Sequence, residues 1–182
     1  MALVVAWASR SASSSGRQRW QQVFKLASLG YAIPGTVLAL GLLLPFVWFD
    51  SLLESIVALF VERAPQLLLM GTTTALVIAY CIRFLAIGVG SLEAGLARIP
   101  PSVEQAARLL GETPGGTLRR VHLPLLRPAL GAAALLVFVD TMKELPATLL
   151  LRPMIFDSLA SWLYAEAARG TFEEGAIAAL AI

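Results

Sequence analysis

Three charged residues lie inside a long apolar stretch in the C-terminal half of the chain, and a proline follows them: Asp140, Lys143, Glu144 and Pro146. Charges in an apolar helix are costly and usually face the interior of a bundle or a water-filled cavity. On a helix, Asp140 shares a face with Lys143 and with Glu144, because residues three and four positions apart are neighbours. Pro146 removes a backbone donor and frees the carbonyl near Met142. The pattern favours two roles equally: a broken helix along the path of a transported solute, or an ion pair that fastens this helix to its neighbours.

A second polar segment, residues 102–124, is predicted to form two short helices with a turn between them. Ser102 is expected to cap the first helix, and Gln105, three residues later, to complete a capping box. Gly111 follows the last apolar position of this helix, where a residue in the left-handed conformation is favoured. The first helix should therefore end at Gly111.

The first helix of this segment is predicted to be amphipathic, with one packed face and one face in solvent. Its apolar face repeats at helical spacing and consists of Val103, Ala106, Ala107 and Leu110. The opposite face carries polar side chains, namely Glu104, Gln105 and Arg108.

The second helix of the segment is predicted to begin at Thr113 and Pro114, a capping hydroxyl followed by proline at the first helical position. Leu118 and Val121 give it a short apolar edge. Pro124 is expected to end it, because proline cannot continue the backbone hydrogen bonds of a helix.

The composition is typical of a membrane protein. Hydrophobic residues make up 58% of the chain and charged residues 14%, against a usual ~25% charged in soluble domains. Apolar runs of about the ~20 residues that a membrane-crossing helix needs predict spans at 26–49, 66–90 and 125–151, and the start of a last span at 175–182. We therefore expect an all-α, polytopic transmembrane helical bundle that is incomplete at both ends.

The remaining polar residues favour structural roles. Arg83, in the second span, is expected either to snorkel towards water or to brace a neighbouring helix. Pro34 and Gly35 should disturb the first span, and His122 is expected to be structural or solvent-facing. No nucleophile–base pair and no metal-ligand spacing occurs in or near the spans, so the sequence predicts neither a catalytic site nor a metal site. The net charge of +2 gives no indication of nucleic-acid binding.

The basic residues predict an orientation in the membrane. Lys and Arg number 4 in residues 9–25, 1 in 50–65, 5 in 91–127 and 2 in 152–175. Because positively charged loops stay on the cytoplasmic side, we expect residues 9–25 and 91–124 in the cytoplasm and the other two segments outside.

A spaced pattern inside the polar segment resembles a known family. It reads Ala106-Ala107, three residues, Gly111, nine residues, Val121, one residue, and Leu123-Pro124. This pattern is similar to the EAA loop of ABC-importer permeases of the binding-protein-dependent type. The flanking stretches RFLAIGVGSLEAGLARIPPS and LLRPALGAAALLVFVDTMKELPATLLLRP most resemble the C-terminal half of ferric-iron permeases. Permeases for thiamine, sulfate, polyamines and phosphonates remain alternatives, as does a membrane scaffold subunit that transports nothing.

The resemblance implies the fold of a type I ABC-importer permease, located in the bacterial inner membrane. It implies these partners: a cytoplasmic ABC ATPase dimer, a second permease half or subunit, a periplasmic substrate-binding protein and membrane lipid. ATP would be bound by the ATPase, so no cofactor is expected in this chain. The loop residues implied to couple to the ATPase are Glu104, Gln105, Ala106, Ala107, Gly111, Val121, Leu123 and Pro124.

One position departs from the family's pattern. The loop glutamate of the family falls at position 105, which is Gln105 in this chain, and Glu104 beside it lies about 100° around the helix. An amide still forms hydrogen bonds with an arginine of the ATPase, but it loses the charge-assisted part of that contact. Coupling through position 105 is therefore expected to be weaker.

Overall fold

The structure, a computed structural model, describes Gln22, Lys25 and residues 29–60 and 69–182. Within these residues it contains helices and no strand, which confirms the predicted all-α fold class. The helices are α1 (Gly35–Val57), α2 (Thr73–Ala97), α3 (Pro101–Leu109), α4 (Pro114–Thr117), a π-helical turn (Leu118–His122), α5 (Leu123–Leu125), α6 (Arg127–Lys143), α7 (Pro146–Leu151), α8 (Leu159–Arg169) and α9 (Phe172–Ala181).

Two helices in the described part of the chain, α1 and α2, are long and apolar enough to cross a membrane. A third crossing is obtained if Pro114–Leu125 and Arg127–Lys143 are counted as one span, although these two stretches are bent by 69° relative to one another. The predicted cytoplasmic segment 9–25 lies outside the described residues, apart from Gln22 and Lys25.

The first span lies further along the chain than predicted. Pro34 has an extended backbone, with ψ 139°, and precedes the first residue of α1. The break at Pro34 divides the described part of the predicted span 26–49. The residues before Pro34 do not belong to α1, which begins at Gly35 and continues to Val57. Asp50, the first residue of the segment 50–65 that was expected outside the membrane, is a buried residue of α1.

The other predicted spans also differ in their bounds. The described part of 66–90 becomes α2, which begins at Thr73 and ends at Ala97. The predicted span 125–151 is divided into α6 and α7 by a break at Glu144 and Leu145. The last helix, α9, begins three residues before Gly175, directly after the turn at Gly170, whose φ of 81° ends α8.

The chain forms two compact units, and their boundaries fall inside α2 and α6. One unit combines Ile33–Arg83 with Val139–Ile182, and we call it the junction unit. The other includes Phe84–Phe138, and we call it the loop unit.

The core of the junction unit is formed mainly by α1, α2 and α7. Its buried apolar residues include several alanines, which let helices approach closely in the absence of bulky side chains: Ala39, Phe46, Ala75, Leu76, Ala79, Ala147 and Leu151. The helix that follows the break at Glu144 is therefore anchored by apolar packing.

The core of the loop unit consists of Leu92, Leu96, Ile99 and Leu126. Gly95 lies where α2 meets α6, and a Cβ atom added to it would lie 2.7 Å from the Cβ of Ala129. The absence of a side chain at Gly95 thus permits the close approach of the two helices that support the polar segment 102–124.

Candidate functional sites

The first helix of the polar segment begins one residue before the predicted cap. Helix α3 starts at Pro101, Pro100 precedes it in an extended conformation, and no side chain caps its N-terminus. The predicted capping box of Ser102 and Gln105 is therefore wrong. Proline fits the first helical position because it has no N–H group to leave unbonded, and this preference sets the start of the helix.

The packed face of α3 also differs from the prediction. Ala107 is buried and Val103 is partly buried, as expected, but Ala106 is exposed and Leu110 is 85% exposed. Glu104, which was predicted to face solvent, is partly buried. The helix is therefore rotated relative to the predicted arrangement, and its packed face contains a carboxylate.

A contact with the only histidine explains this rotation. Glu104 Oε1 lies 3.6 Å from His122 Nε2, and the His122 side chain is fully buried while that of Glu104 is 16% exposed. The pair joins α3 to the π-helical turn within the loop unit. This agrees with the structural role predicted for His122 and gives Glu104 an internal role as well.

The turn between the two helices follows the sequence prediction. Gly111 has φ 84°. Its N–H donates to the carbonyl of Arg108, and the N–H of Glu112 donates to the carbonyl of Ala107, both at 3.0 Å. These two bonds form a Schellman motif, which requires a left-handed residue at this position. The hydroxyl of Thr113 then accepts the N–H of Gly116 at 3.1 Å and caps α4.

The second helix of the segment does not end at Pro124 as predicted. The helical path continues from α4 through the π-helical turn Leu118–His122 and α5, and it bends after Leu125. The N–H of Leu123 donates to the carbonyl of Leu118, five residues earlier. We attribute the wider turn to Pro124, which cannot donate the next hydrogen bond of a regular helix.

Most of the predicted coupling residues lie on the surface of the loop unit. Five of the eight are exposed, namely Gln105, Ala106, Gly111, Leu123 and Pro124, whereas Glu104 and Val121 are partly buried and Ala107 is buried. Leu109 and Leu110, which the sequence analysis did not assign to the coupling residues, are 89% and 85% exposed. The segment therefore presents an apolar surface beside the amide of Gln105. Glu112 and Arg120, 2.5 Å apart, form an ion pair at its edge.

In the junction unit, Glu144 is buried at the break between α6 and α7. Its Oε2 accepts a hydrogen bond from Arg83 Nε at 2.7 Å. Arg83 Nη1 also donates to the carbonyl of Ile33 at 2.9 Å, directly before α1. Arg83 is thus a brace between helices, one of the two roles expected for it.

Further polar contacts surround this ion pair, and we call the whole cluster the polar junction. It consists of Ile33, Gly35, Tyr80, Arg83, Glu144, Ala147 and Thr148. The backbone N–H of Ala147 donates to Glu144 Oε1 at 3.3 Å. The hydroxyl of Thr148 contacts the carbonyl of Glu144 and the hydroxyl of Tyr80. These contacts satisfy polar groups at a helix break, where backbone groups would otherwise lack partners.

The charged residues predicted to form one cluster are separated by this arrangement. Glu144 is buried against Arg83, whereas Lys143 and Pro146 are exposed and Asp140 is partly exposed. Among the residues that the structure describes, neither Asp140 nor Lys143 takes part in an ion pair. Glu144 is thus the member of this group that forms an ion pair with a neighbouring helix, which was one of the two roles expected for the group.

A third polar contact was missed by the sequence analysis. The carboxylate of Asp50 is buried and accepts the backbone N–H groups of Leu69 and Met70 at 2.8 and 2.9 Å. It thereby connects α1 to the segment just before α2. A charged residue in an apolar stretch was the available signal, as it was for Arg83 and Glu144, but the sequence did not indicate its partners.

No group of three or more metal-ligating side chains occurs in the described ranges, 29–60 and 69–182. Both the polar segment and the polar junction contain hydrogen bonds and an ion pair, and the polar segment also has an exposed apolar surface. Apolar helices of membrane-spanning length combined with a structured polar loop are typical of a helical membrane protein.

Comparison with known proteins specifies the class further. The family of binding-protein-dependent transport system inner membrane components matches residues 4–181. The chain belongs to this family, and the match confirms the permease resemblance drawn from the spaced loop pattern.

Relatives within this class are named for different solutes. The Fe(3+)-transport system permease protein FbpB 2 of Haemophilus influenzae is 30% identical over 64% of this chain and 28% of its own length. The putative 2-aminoethylphosphonate transport system permease protein PhnV of Salmonella typhimurium is 31% identical over 93% of this chain and 58% of its own length. The trehalose transport system permease protein SugB of Mycobacterium tuberculosis is 35% identical over 62% of this chain and 40% of its own length. The chain thus spans less than two thirds of each relative.

Proposed function

We propose that this chain is part of the permease subunit of an ATP-driven ABC importer, in which segment 102–124 docks on a cytoplasmic ATPase. The observation that carries the proposal is the structured loop with exposed Leu109 and Leu110, in a chain that belongs to an importer family. Two adjacent apolar side chains this exposed at the end of a short helix are typical of a surface that binds another protein.

The geometry of the loop suits this role. The Schellman motif at Gly111 and the cap at Thr113 fix the turn between α3 and α4. Glu104 and His122 fix the first helix against the π-helical turn. A segment held at several points transmits a displacement to the helices that follow it, because packed elements move as units.

The proposed partners are those that the family implies: an ABC ATPase dimer, a second permease half or subunit, and a periplasmic substrate-binding protein. ATP is bound and hydrolysed by the ATPase, and this chain supplies no cofactor of its own. The proposed orientation puts 9–25 and 91–124 in the cytoplasm of a multi-pass protein of the inner membrane, and lipid covers the apolar faces of α1 and α2.

The proposed solute is ferric iron. Its support is the similarity to a ferric-iron permease and the sequence stretches that flank the loop. Because other relatives are named for 2-aminoethylphosphonate and trehalose, these two solutes are the controls in an uptake experiment. Cells that depend on this protein should take up radiolabelled ferric iron, and uptake of either control solute instead would replace iron in the proposal.

For the solute path, we propose that Asp140, Lys143 and Pro146 lie along its wall, at the end of α6 and the start of α7. Asp140 and Lys143 are charges at membrane depth with some exposure, and such charges are unfavourable against lipid. Neutralising Asp140 should change uptake without reducing the amount of inserted protein. Unchanged uptake in Asp140→Asn would remove this residue from the path.

Docking can be tested with a photoreactive amino acid at position 110 in the membrane-embedded protein. It should crosslink to an ABC ATPase, identified by mass spectrometry of the product. The same probe at Leu135, which is 63% exposed on α6, is the matched control and should not reach the ATPase. Crosslinks from position 110 to a different class of protein would favour a non-transporting scaffold subunit.

The side of the membrane can be tested independently. A cysteine introduced at the exposed position Ser102, in a Cys81→Ser background, should react with an impermeant maleimide only in inverted vesicles. Reaction in intact spheroplasts would put the loop outside, where no cytoplasmic ATPase could reach it.

A further inference from the structure

The carboxylate of Glu144 is fully engaged by the protein itself. Oε2 accepts Arg83 Nε at 2.7 Å, and Oε1 accepts the backbone N–H of Ala147 at 3.3 Å. The two side chains are only 7% and 16% exposed, for Glu144 and Arg83 respectively. A carboxylate that is neutralised and buried in this way has little capacity left to bind a passing cation, because it would first have to leave its present partners.

Arg83 extends this contact to a third helix. Its Nη1 donates to the carbonyl of Ile33 at 2.9 Å, two residues before α1 begins at Gly35. A single guanidinium in the middle of α2 therefore holds the start of α1 and the break before α7. A planar group with several fixed donors is suited to this task, and a lysine ammonium is not equivalent.

Gly35 provides the room that this arrangement needs. A Cβ atom added at Gly35 would clash with Glu144 Oε1 and lie 3.4 Å from Arg83 Cζ. By contrast, a Cβ atom at Gly41, on the same helix, would meet no atom within 4 Å. The close approach at Gly35 is therefore specific to the ion pair and is not a general property of glycines in α1.

We propose that Arg83, Glu144 and Gly35 form a charge-neutral latch that fixes the break between α6 and α7, and that Glu144 positions this break without binding the solute. All three residues belong to the junction unit. The effect on uptake rests on the proposed permease function, whereas the latch itself follows from the contacts within this unit.

The latch makes a particular prediction about paired substitutions. Arg83→Gln takes the paired guanidinium away from a buried carboxylate, and Glu144→Gln takes the paired carboxylate away from a largely buried guanidinium. The double variant removes both charges together, and two neutral amides are less costly to bury than one isolated charge. The double variant should therefore be more stable than Arg83→Gln alone.

Thermal unfolding of the purified, detergent-solubilised protein tests the latch directly. Each single variant should lower the unfolding midpoint by roughly 5 °C or more, and the double variant should recover part of that loss. Glu173→Gln, an exposed carboxylate on α9, is the control and should change nothing. Gly35→Ala should be destabilised, because its Cβ would clash with Glu144 Oε1, and Gly41→Ala should not. Additive losses in the double variant would overturn the latch.

Uptake by the assembled importer distinguishes positioning from solute binding. Positioning predicts that Arg83→Gln, Glu144→Gln and Gly35→Ala lower the maximal rate together, with partial recovery in Arg83→Gln/Glu144→Gln. A solute ligand predicts that Glu144→Gln alone raises the half-saturating solute concentration and that removing Arg83 gives no recovery, which would overturn the proposal. If the wild-type importer moves no solute while the stability pattern holds, the proposed function fails and the latch does not.

Discussion

Glu104 Oε1 lies 3.6 Å from His122 Nε2, and this contact joins the first helix of the loop to the π-helical turn. The contact gives different roles to Glu104 and Gln105, two adjacent residues whose side chains are similar in size. Glu104 faces the interior of the loop unit, and Gln105 is exposed. The residue that departs from the family's loop pattern is thus the one that remains available to a partner.

This contact predicts different effects for substitutions at the two positions. Glu104→Ala should lower the stability of the protein by about 1–3 kcal/mol, because it removes the partly buried partner of a buried histidine. Gln105→Ala should leave stability within about 0.5 kcal/mol of wild type. Thermal unfolding in detergent measures both. Equal stability of the two variants would show that the Glu104–His122 contact contributes nothing.

A reduced docking affinity in Gln105→Ala, measured with the purified ATPase, would complete the comparison. Gln105→Glu restores the acid that the family's pattern has at this position. It should bind the ATPase more tightly than wild type, since a charge-assisted hydrogen bond is roughly twice as strong as a neutral one. Weaker binding would show that the partner surface has adapted to the amide.

Gly111 should not accept a side chain without loss of the turn. Its φ of 84° costs an ordinary residue about 1–2 kcal/mol, and a β-branched residue more. We expect Gly111→Val to abolish uptake while the protein still inserts into the membrane, as measured by solute uptake and by the amount of protein in purified membranes. Gly115→Val is the control, since Gly115 has no positive φ and no atom lies within 4 Å of the added Cβ.

The caps of the two loop helices should respond differently to loss of a hydroxyl. Thr113→Ala removes the oxygen that accepts the N–H of Gly116 and should cost about 1 kcal/mol. Ser102→Ala should be neutral, because α3 has no side-chain cap. Unfolding midpoints of the two variants provide the measurement. A loss at Ser102 equal to that at Thr113 would restore the capping box that the sequence predicted.

The contrast between Ser102 and Thr113 indicates what sequence alone could predict here. Local turn chemistry was sufficient where one residue type decides the conformation, as at Gly111 and at Thr113 with Pro114. It failed where two signals competed, since proline at position 101 sets the start of α3 ahead of the serine.

The sequence analysis was least able to predict contacts between residues far apart in the chain. Arg83 and Glu144 are 61 positions apart in sequence, and Asp50 and Leu69 are 19 apart. The sequence identified Arg83 and Glu144 as unusual for their surroundings and missed Asp50, and helical spacing reports only neighbours three or four positions away. The sequence therefore offered an ion pair to a neighbouring helix as one role for residues 140–144 but could not name the partner, which the structure identifies as Arg83.

Asp50 should be essential for the stability of the junction unit. Asp50→Ala would leave two part-buried backbone N–H groups, of Leu69 and Met70, without this acceptor, and a fully buried unsatisfied group costs about 1–3 kcal/mol. Asp50→Asn keeps one acceptor oxygen and should lose less. Glu54→Ala, a partly exposed carboxylate one turn further along α1, is the control. Unfolding midpoints in the order Glu54→Ala, Asp50→Asn, Asp50→Ala, from highest to lowest, are expected.

The exposed leucines of the loop should contribute to docking and not to folding. Leu109 and Leu110 are 89% and 85% exposed, so replacing both with serine removes little buried area and should leave the unfolding midpoint unchanged. If these side chains enter an apolar cleft of the ATPase, the loss of two buried leucines should weaken binding by about 3 kcal/mol or more, over a hundredfold in Kd.

The control for this pair is Leu126→Ser, since Leu126 is 1% exposed in the core of the loop unit. It should lower the unfolding midpoint strongly, because it leaves a cavity and buries a hydroxyl. Titration of the purified ATPase onto each variant in nanodiscs separates the two effects. If the Leu109→Ser/Leu110→Ser protein kept wild-type stability and also wild-type affinity, the exposed apolar surface would have no part in docking. The ATPase would then have to recognise the loop through Gln105 and the polar groups around it.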